Sequence, residues 1–377
     1  MQKGYGRKVT VDYAPKLGRI PIRHLSPQVP GSLWPTKAFR GEVVPFQATV
    51  FREGHDQLGV QLVLTDPNGV ETVHRMLPLA PGTDRWQADA QLDLEGEWTW
   101  RVRAFADEWA TWHHNAAIKI PAGIDVPLML TIARQLLERA PRKATVKQAI
   151  AALDAPLTPA EKWAILDHPK LTEAIDSRPI GSLTTESETL PIRVERTRAG
   201  VGSWYEFFPR SEGAKLAKDG TWTSGTFRTA AKRLPAVAAM GFDVLYLPPI
   251  HPIGVTGRKG PNNTLTVGPQ DPGSPWAIGS SAGGHDAVHP DLGDVRDFTF
   301  FVGAANKLGI EIALDFALQC SPDHQWVTEH PEWFTTLPDG SIAYAENPPK
   351  KYQDIYPVNF DNEPEGIRAE VLRLLRY

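Results

Sequence analysis

The stretch Ile310-Glu-Ile-Ala-Leu-Asp-Phe-Ala-Leu-Gln-Cys-Ser-Pro-Asp-His324 decides the fold of the second half of the chain. Its apolar start is too short for a helix and lies between Gly309 and Pro322, which is typical of a buried strand in a parallel sheet. Polar residues begin at Asp315, where that strand is expected to end. In an α/β barrel the carboxyl ends of the strands carry the chemistry, so we expect a site here.

The composition indicates a multidomain protein of the cytoplasm. A length of 377 residues is enough for two or three domains. The net charge of −4 favours neither a nucleic-acid nor a membrane partner. A single cysteine excludes a disulfide framework and favours a reducing compartment. Residues 1–13 lack the apolar core of a signal peptide, and no apolar run approaches the roughly 20 residues of a membrane helix.

The first part of the chain, residues 1–124, predicts a β-sandwich of the immunoglobulin-like kind. After a proline-rich, extended lead-in over residues 15–35, short strands are predicted at 43–51 and 60–65, and Asp66-Pro-Asn-Gly69 is a turn. Apolar and polar residues then alternate from Trp98 to Ala104, as in a half-buried strand. Four tryptophans could stack on sugars, although the sequence favours core or interface positions for them: Trp98, Trp100, Trp109 and Trp112.

Residues 125–190 predict a helical hairpin insert followed by a polar linker. Apolar residues recur at helical spacing over 127–140 and 144–153. Thr158-Pro-Ala-Glu161 is the pattern of a capping box with proline at the first helical position. Residues 181–188 are polar and carry no clear period, so a linker is expected there. The insert shows no chemistry of its own, and we interpret it as an interaction or dimerisation element.

Residues 191–377 predict alternating parallel strands and helices. Between these elements lie a Gly/Pro-rich loop over 253–293 and an insertion over 321–362, both too long for ordinary connections. The predicted elements are strands from Trp204, from Phe242 and from Ile310, and helices over 227–240, 294–308 and 366–377.

Two motifs carry a resemblance to a known family. Asp315 at the end of the third strand resembles the first signature region of the α-amylase superfamily, glycoside hydrolase family 13. Gln319-Cys320 stands where an Asn-His pair is usual, and Tyr344-Ala-Glu-Asn-Pro-Pro-Lys-Lys-Tyr-Gln-Asp354 follows. Together these features resemble the bacterial maltose-1-phosphate α-1,4-glucan maltosyltransferases. The resemblance implies a β-sandwich with a helical insert, then the first half of a (β/α)8 barrel with the start of a B domain at 321–362.

The resemblance also implies a function and a set of donor-site residues. The family transfers maltosyl units from α-maltose 1-phosphate to the non-reducing end of α-1,4-glucans with retention, releases phosphate and needs no cofactor. It implies a homodimer in glycogen biosynthesis. Asp315 would support the site. His285 and Asp286 match a Gly-Tyr-Asp motif whose ring stacks beneath the sugar, and a hydrogen bond from His285 to the sugar is expected in place of that stacking. The matching positions for the maltosyl unit are Lys259, Gln319 and Asp354, and those around the phosphate are Asn347, Lys350 and Tyr352.

The catalytic carboxylates are expected beyond Tyr377, the last residue of this sequence. In the family the nucleophilic aspartate ends the fourth strand and the acid/base glutamate comes later, whereas residues 1–377 reach only the third strand. The helix predicted up to Tyr377 would lead to that fourth strand. The sequence is therefore expected to be part of a longer enzyme and inactive alone.

Other interpretations remain open at this point. The protein could be an amylase-family hydrolase of α-glucans or a non-catalytic glucan-binding module. A metal site at His285, His289, His324 and Asp323 is not expected, because their spacing matches no ligand pattern. Cys320 has no evident basic partner and is expected to be a packed thiol rather than a nucleophile.

Overall fold

The structure is a computed structural model that describes residues 18–32 and 34–377. The features predicted for residues 1–13, and for the first residues of the proline-rich lead-in, lie outside the described residues. The chain divides into two compact units between Val201 and Gly202. Each unit is described by itself below.

The first unit is a β-sandwich with a helical insert. One sheet has the strand order β1-β3-β7-β6, and the other has the order β2-β10-β8-β4-β5 with β9 paired to β8. Phe46 and Trp100 meet across the core with ring centroids 5.1 Å apart. The strands are β1 (Ile22–Ser26), β2 (Thr36–Phe39), β3 (Glu42–Val50), β4 (Leu58–Thr65), β5 (Glu71–Arg75), β6 (Leu77–Pro78), β7 (Arg85–Leu92), β8 (Gly96–Asp107), β9 (Gly181–Glu186) and β10 (Leu190–Glu195).

The tryptophans fill cores, as the sequence favoured. Trp98 and Trp100 are 5% and 1% exposed in the sandwich core. Trp109 and Trp112 are also buried, in a separate core formed by the helices. A sugar-stacking platform made of these four side chains is therefore wrong, because their faces are covered by protein.

The helical insert is larger than predicted. It begins directly after β8, where Asp107 accepts a hydrogen bond from the Ala110 amide and caps the first helix. The capping box of Thr158 and Glu161 is present. The helices are α1 (Glu108–Lys119), α2 (Val126–Arg139), α3 (Ala144–Asp154), α4 (Pro159–Leu166) and α5 (Pro169–Asp176).

The predicted linker at 181–188 is wrong. Residues 181–186 form β9, which pairs antiparallel with β8, and β10 then pairs with both β8 and β2. Ile192 and Val194 of β10 are 0% and 1% exposed in the sandwich core. The expected boundary after residue 190 therefore moves to Val201, because the sandwich is closed by strands that follow the helices.

The second unit contains a parallel three-stranded sheet of order β11-β14-β15. The strands are β11 (Trp204–Glu206), β12 (Lys215–Leu216), β13 (Trp222–Thr223), β14 (Val244–Leu247), β15 (Glu311–Leu314), β16 (Gln319–Cys320), β17 (Ala345–Asn347), β18 (Lys350–Tyr352) and β19 (Tyr356–Pro357).

The helices of the second unit are α6 (Phe227–Ala230), α7 (Leu234–Ala239), α8 (Val295–Asn306), α9 (Gln325–Glu329) and α10 (Pro364–Arg376). The predicted helix over 227–240 is interrupted by a 3-10 turn at Ala231–Arg233, next to Pro235, which cannot donate a backbone hydrogen bond.

The bounds of α10 differ from the predicted helix over 366–377. The helix begins two residues earlier, because the Glu363 side chain caps its first turn and Pro364 occupies the first helical position. Tyr377 was predicted to be helical, but it is the capping residue that follows the helix. Its amide donates to the Leu374 carbonyl over 3.2 Å, and its side chain is exposed.

Among the described residues, no helix combines the length and apolarity needed to cross a membrane.

Candidate functional site

The predicted site residues begin where the parallel strands end. Leu247 of β14 and Leu314 of β15 are register partners, so both strands end at the same edge of the sheet. Asp315 follows at once, and its amide donates to the Leu247 carbonyl over 2.9 Å. The side chain of Asp315 therefore starts from the carboxyl edge, as predicted.

Asp315 organises two aromatic residues that sequence reasoning missed. The Trp276 indole Nε1–H donates to Asp315 Oδ2 over 2.8 Å. Burial, with a hydrogen bond to Asp315, raises the pKa of Tyr246 to about 12, so the phenol keeps its proton. The supporting role expected for Asp315 is consistent with these contacts. An alternating strand pattern could have flagged Tyr246, but nothing in the sequence placed Trp276 beside Asp315.

Gln319 lies beside the same tryptophan. Its Nε2 donates to the Trp276 carbonyl over 3.4 Å, and its side chain is half-buried. Cys320 is fully buried, and burial raises the pKa of its thiol. It is thus a wall residue without thiolate reactivity.

The long loop and the insertion meet at Lys259. This lysine is only 7% exposed, and its Nζ donates to Gln353 Oε1 over 2.5 Å and to the Lys351 carbonyl over 3.3 Å. Gly257, at φ +66°, lies so close that an added Cβ would be 2.9 Å from the Gln353 carbonyl oxygen. The long loop and the insertion, which are the two segments predicted to form the donor site, therefore approach each other closely at a position that only glycine accommodates.

Asp354 is a buried carboxylate. It is 1% exposed, and within residues 18–32 and 34–377 neither of its side-chain oxygens has a hydrogen-bond partner. Burial raises the pKa of Asp354, and its own backbone amide and the positive charge of Lys259 oppose that shift. Buried polar atoms are normally satisfied, so two open acceptors beside a buried cation suit a ligand that donates hydroxyl groups.

Asn347, Lys350 and Tyr352 lie on a β-hairpin. Asn347 faces Lys350 across the two-residue connection Pro348-Pro349, which contains a cis peptide bond. Asn347 and Lys350 are exposed, whereas Tyr352 is half-buried against a cluster around Ile253, Ala277 and Ile355. The hairpin therefore presents the Asn347 amide and the ammonium groups of Lys350 and Lys351 to solvent above an apolar base.

His285 and Asp286 have other partners. His285 is 7% exposed, and its two ring nitrogens lie 2.8 Å from the Ala317 carbonyl oxygen and 3.2 Å from His324 Nε2. Both nitrogens thus have partners within the protein, where the sequence predicts a hydrogen bond to the sugar. Asp286 forms an ion pair with Arg373 over 2.9 Å.

No group of three or more His, Cys, Asp or Glu side chains within residues 18–32 and 34–377 is placed to hold a metal ion.

Comparison with known proteins agrees with the sequence motifs. Residues 18–196 match the family described as alpha-1,4-glucan:maltose-1-phosphate maltosyltransferase, domain N/S. Over 370 residues the chain is 52% identical to alpha-1,4-glucan:maltose-1-phosphate maltosyltransferase 2 of Streptomyces coelicolor, covering 96% of this chain and 55% of that protein. The resemblance to the maltose-1-phosphate maltosyltransferases is confirmed.

A second maltosyltransferase, from Mycobacterium tuberculosis, is 46% identical over 392 residues, covering 96% of this chain and 56% of that protein. The chain spans about half the length of the curated maltosyltransferases it matches. Among solved structures, a noncanonic maltogenic α-amylase from Thermotoga neapolitana is 29% identical with a TM-score of 0.35, covering 46% of this chain and 35% of that one.

Proposed function

We propose that the natural protein carrying this sequence transfers maltosyl units from α-maltose 1-phosphate to the non-reducing end of α-1,4-glucans, with retention and release of phosphate. The observation that carries the proposal is the pair of unpartnered oxygens on buried Asp354, next to buried Lys259. A maltosyl unit supplies the hydroxyl donors that this carboxylate lacks. The maltosyltransferase relatives supply the substrate class.

Lys259, Gln319 and Asp354 hold the maltosyl unit in this proposal. Asn347, Lys350 and Tyr352 bind the phosphate, since a leaving phosphate needs cations and hydrogen-bond donors. Lys350 and Asn347 are exposed on their hairpin and able to meet an anion from solvent. The sequence assigned His285 and Asp286 to the substrate as well. In this proposal Asp286, whose Oδ2 pairs with Arg373, keeps that role, and His285 acts by supporting the region, because both of its ring nitrogens have partners in the protein.

The parallel sheet of the second unit forms the first strands of a (β/α)8 barrel, and residues 321–362 begin its B domain. Retaining transfer needs a nucleophilic carboxylate and an acid/base carboxylate about 5 Å apart. In this proposal both are supplied by residues beyond Tyr377, so a polypeptide of residues 1–377 alone should show no turnover. We further propose a cytoplasmic homodimer acting in glycogen biosynthesis.

The test is to incubate the natural protein with glycogen and inorganic phosphate. Formation of maltose 1-phosphate is expected, because the transfer runs in reverse when phosphate is the acceptor. Release of maltose or glucose at the same rate without phosphate would instead identify an amylase-type hydrolase. Glucan binding without either product would identify a non-catalytic binding module.

A further inference from the structure

Behind Gln319 lies a buried aromatic and histidine cluster that the donor contacts do not use. His285, His324 and Trp326 are 7%, 4% and 6% exposed. The His285 and Trp326 rings stack with centroids 4.5 Å apart and planes 16° apart. A Cβ added to Gly284 would lie 2.4 Å from His324 Nε2, so the His324 ring packs directly against the backbone of Gly284.

The hydrogen bonds of this cluster have one consistent direction. The Trp326 amide can only donate, so His324 Nδ1 accepts its hydrogen over 3.0 Å. In a neutral His324 the proton is then on Nε2, which donates to His285 Nδ1 over 3.2 Å. His285 must therefore carry its own proton on Nε2, which donates to the Ala317 carbonyl over 2.8 Å. Each tautomer follows from the one before it.

Burial keeps both rings neutral, as this order requires. It lowers the pKa of His285 to about 4 and the pKa of His324 to about 3. The acidic groups Asp286 and Glu370 oppose these shifts, and the neighbouring His251 adds to them. The hydrogen-bond order is thus maintained at neutral pH.

The chain of hydrogen bonds ends in the backbone that carries two site residues. Ala317 lies between Asp315 and Gln319, in the segment that connects β15 to β16. Fixing its carbonyl restrains the path of the segment from the end of the strand to the amide of Gln319. A displacement of about 1 Å in such a segment is enough to weaken a ligand contact.

We propose that His324 is a positioning residue for the donor site, which acts through His285 and the Ala317 carbonyl to hold Gln319 in place. This inference rests on the proposed function. His324 touches no substrate in it, and its effect depends on the donor nitrogen that points at His285. A second support comes from α10, where Arg373 pairs with Asp286 and Glu370, and Glu370 accepts from the Trp326 indole over 3.3 Å.

Two substitutions of His324 separate the positioning role from a purely structural one. His324 also caps α9 by accepting from the Trp326 amide. His324→Asn places an acceptor near Nδ1 and keeps the cap, but it loses the donor to His285. His324→Gln places an amide nitrogen near Nε2 and keeps that donor, but it loses the cap.

We expect His324→Asn to raise the KM for maltose 1-phosphate about tenfold, with the glucan KM unchanged, because one hydrogen bond that restrains Gln319 is lost. His324→Gln should retain most of the donor affinity although it lowers the melting temperature. His330→Asn is the matched control, since His330 lies outside this chain of hydrogen bonds and pairs with Glu332 at the surface. A higher donor KM in His324→Gln than in His324→Asn, or equal donor KM values in the two variants, would overturn the positioning role.

Nitrogen-15 NMR of the histidine rings supplies a readout independent of turnover. His285 should show a protonated Nε2 and a bare Nδ1 in the wild type, with no titration above pH 5, and His324→Asn should disturb this pattern. A wild type that forms no maltose 1-phosphate would reject the proposed function and the donor role of His324 together. The ring spectra would then still show whether the tautomer order itself is correct.

Discussion

At the scale of single residues, a substitution of Asp354 should affect donor binding and stability differently. A buried carboxylate without hydrogen-bond partners costs folding free energy, and its neutral amide isostere costs less. We expect Asp354→Asn to leave the melting temperature unchanged or higher, while the KM for maltose 1-phosphate rises at least about tenfold. Thermal melts and steady-state kinetics on the natural protein measure both.

Asp361→Asn is the matched control for that substitution, since Asp361 is an exposed carboxylate of the same insertion. It should change neither quantity. A loss of stability in Asp354→Asn, without a change in donor KM, would show that the Asp354 carboxylate serves the fold rather than the substrate.

Lys350 and Lys351 form a natural pair for testing the phosphate contact. They are neighbours on β18, so their side chains point to opposite faces of the hairpin. Lys350→Ala is expected to weaken the phosphorylated donor by about 1.5–3 kcal/mol, the worth of a charged hydrogen bond, and to spare the glucan acceptor. Separate KM values for donor and acceptor measure the effect.

Lys351→Ala should leave both KM values unchanged, because only the backbone carbonyl of Lys351 contacts Lys259. Equal losses for donor and acceptor in Lys350→Ala would place the phosphate elsewhere.

At the scale of secondary-structure elements, Gly257 sets how closely the long loop approaches the hairpin. Its φ of +66° and the short distance to the Gln353 carbonyl both disfavour a side chain. Gly257→Ala is expected to cost about 1–3 kcal/mol of stability and to weaken donor binding as Lys259 shifts. Chemical denaturation and donor KM measure these effects.

Gly220→Ala separates the cost of the positive φ from the cost of the close contact, because Gly220 has a φ of +84° but no atom within 4 Å of an added Cβ. It should show only the cost of the backbone conformation and no change in KM. A Gly257→Ala variant that binds donor normally would mean that the close approach of loop and hairpin is not required.

The histidine cluster between the 284–286 turn, α9 and α10 predicts a dependence of stability on pH. Burial lowers the pKa of His285 to about 4, so the folded ring stays neutral while the unfolded ring takes up a proton below its ordinary value of 6.5. The unfolded state thus binds more protons between these values. Stability is complete above pH 6.5 and falls by about 1.4 kcal/mol per pH unit for this histidine as the pH decreases towards 4. Urea unfolding across this range should show a shallower slope in His324→Gln, which has one buried histidine fewer.

Local sequence patterns predicted several of the strands and helices, but not the partners of the strands. The alternation from Trp98 to Ala104 correctly indicated β8, and the Thr158–Glu161 capping box marked the start of α4. β9 was missed because its residues are polar and mostly exposed, so its identity depends on pairing with β8 across the whole insert. α1 was missed because it follows β8 without a break, and its tryptophans resemble those of the strand.

The site was predictable only where a motif existed. The segments around Lys259 and Lys350 do come together, with Lys259 bonded to the hairpin strand. Trp276 and His324 had no local signal, because their roles arise from contacts between segments distant in sequence. The partners of His285, the Ala317 carbonyl and His324, had no local signal for the same reason.

At the scale of the whole molecule, the first unit is expected to fold alone. Among the described residues, its sandwich core and its helical core are built from residues between 20 and 194. A polypeptide of residues 18–201 should unfold cooperatively, with near-ultraviolet circular dichroism from its buried tryptophans. A polypeptide of residues 18–180 is the control and should not fold, because it lacks β10, which lies between β2 and β8. A molten 18–201 polypeptide would contradict the division after Val201.

The helical insert leaves and rejoins the sandwich at adjacent points. Asp107, the last residue of β8, is the direct cross-strand partner of Gly181, the first residue of β9. Such partners have Cα atoms about 5 Å apart, so a tight turn of a few residues could replace all of residues 108–180 without changing the pairing of any strand. The helical insert is therefore independent of the strand pairing of the sandwich. Evolution could have acquired, enlarged or exchanged the helices without changing the sandwich.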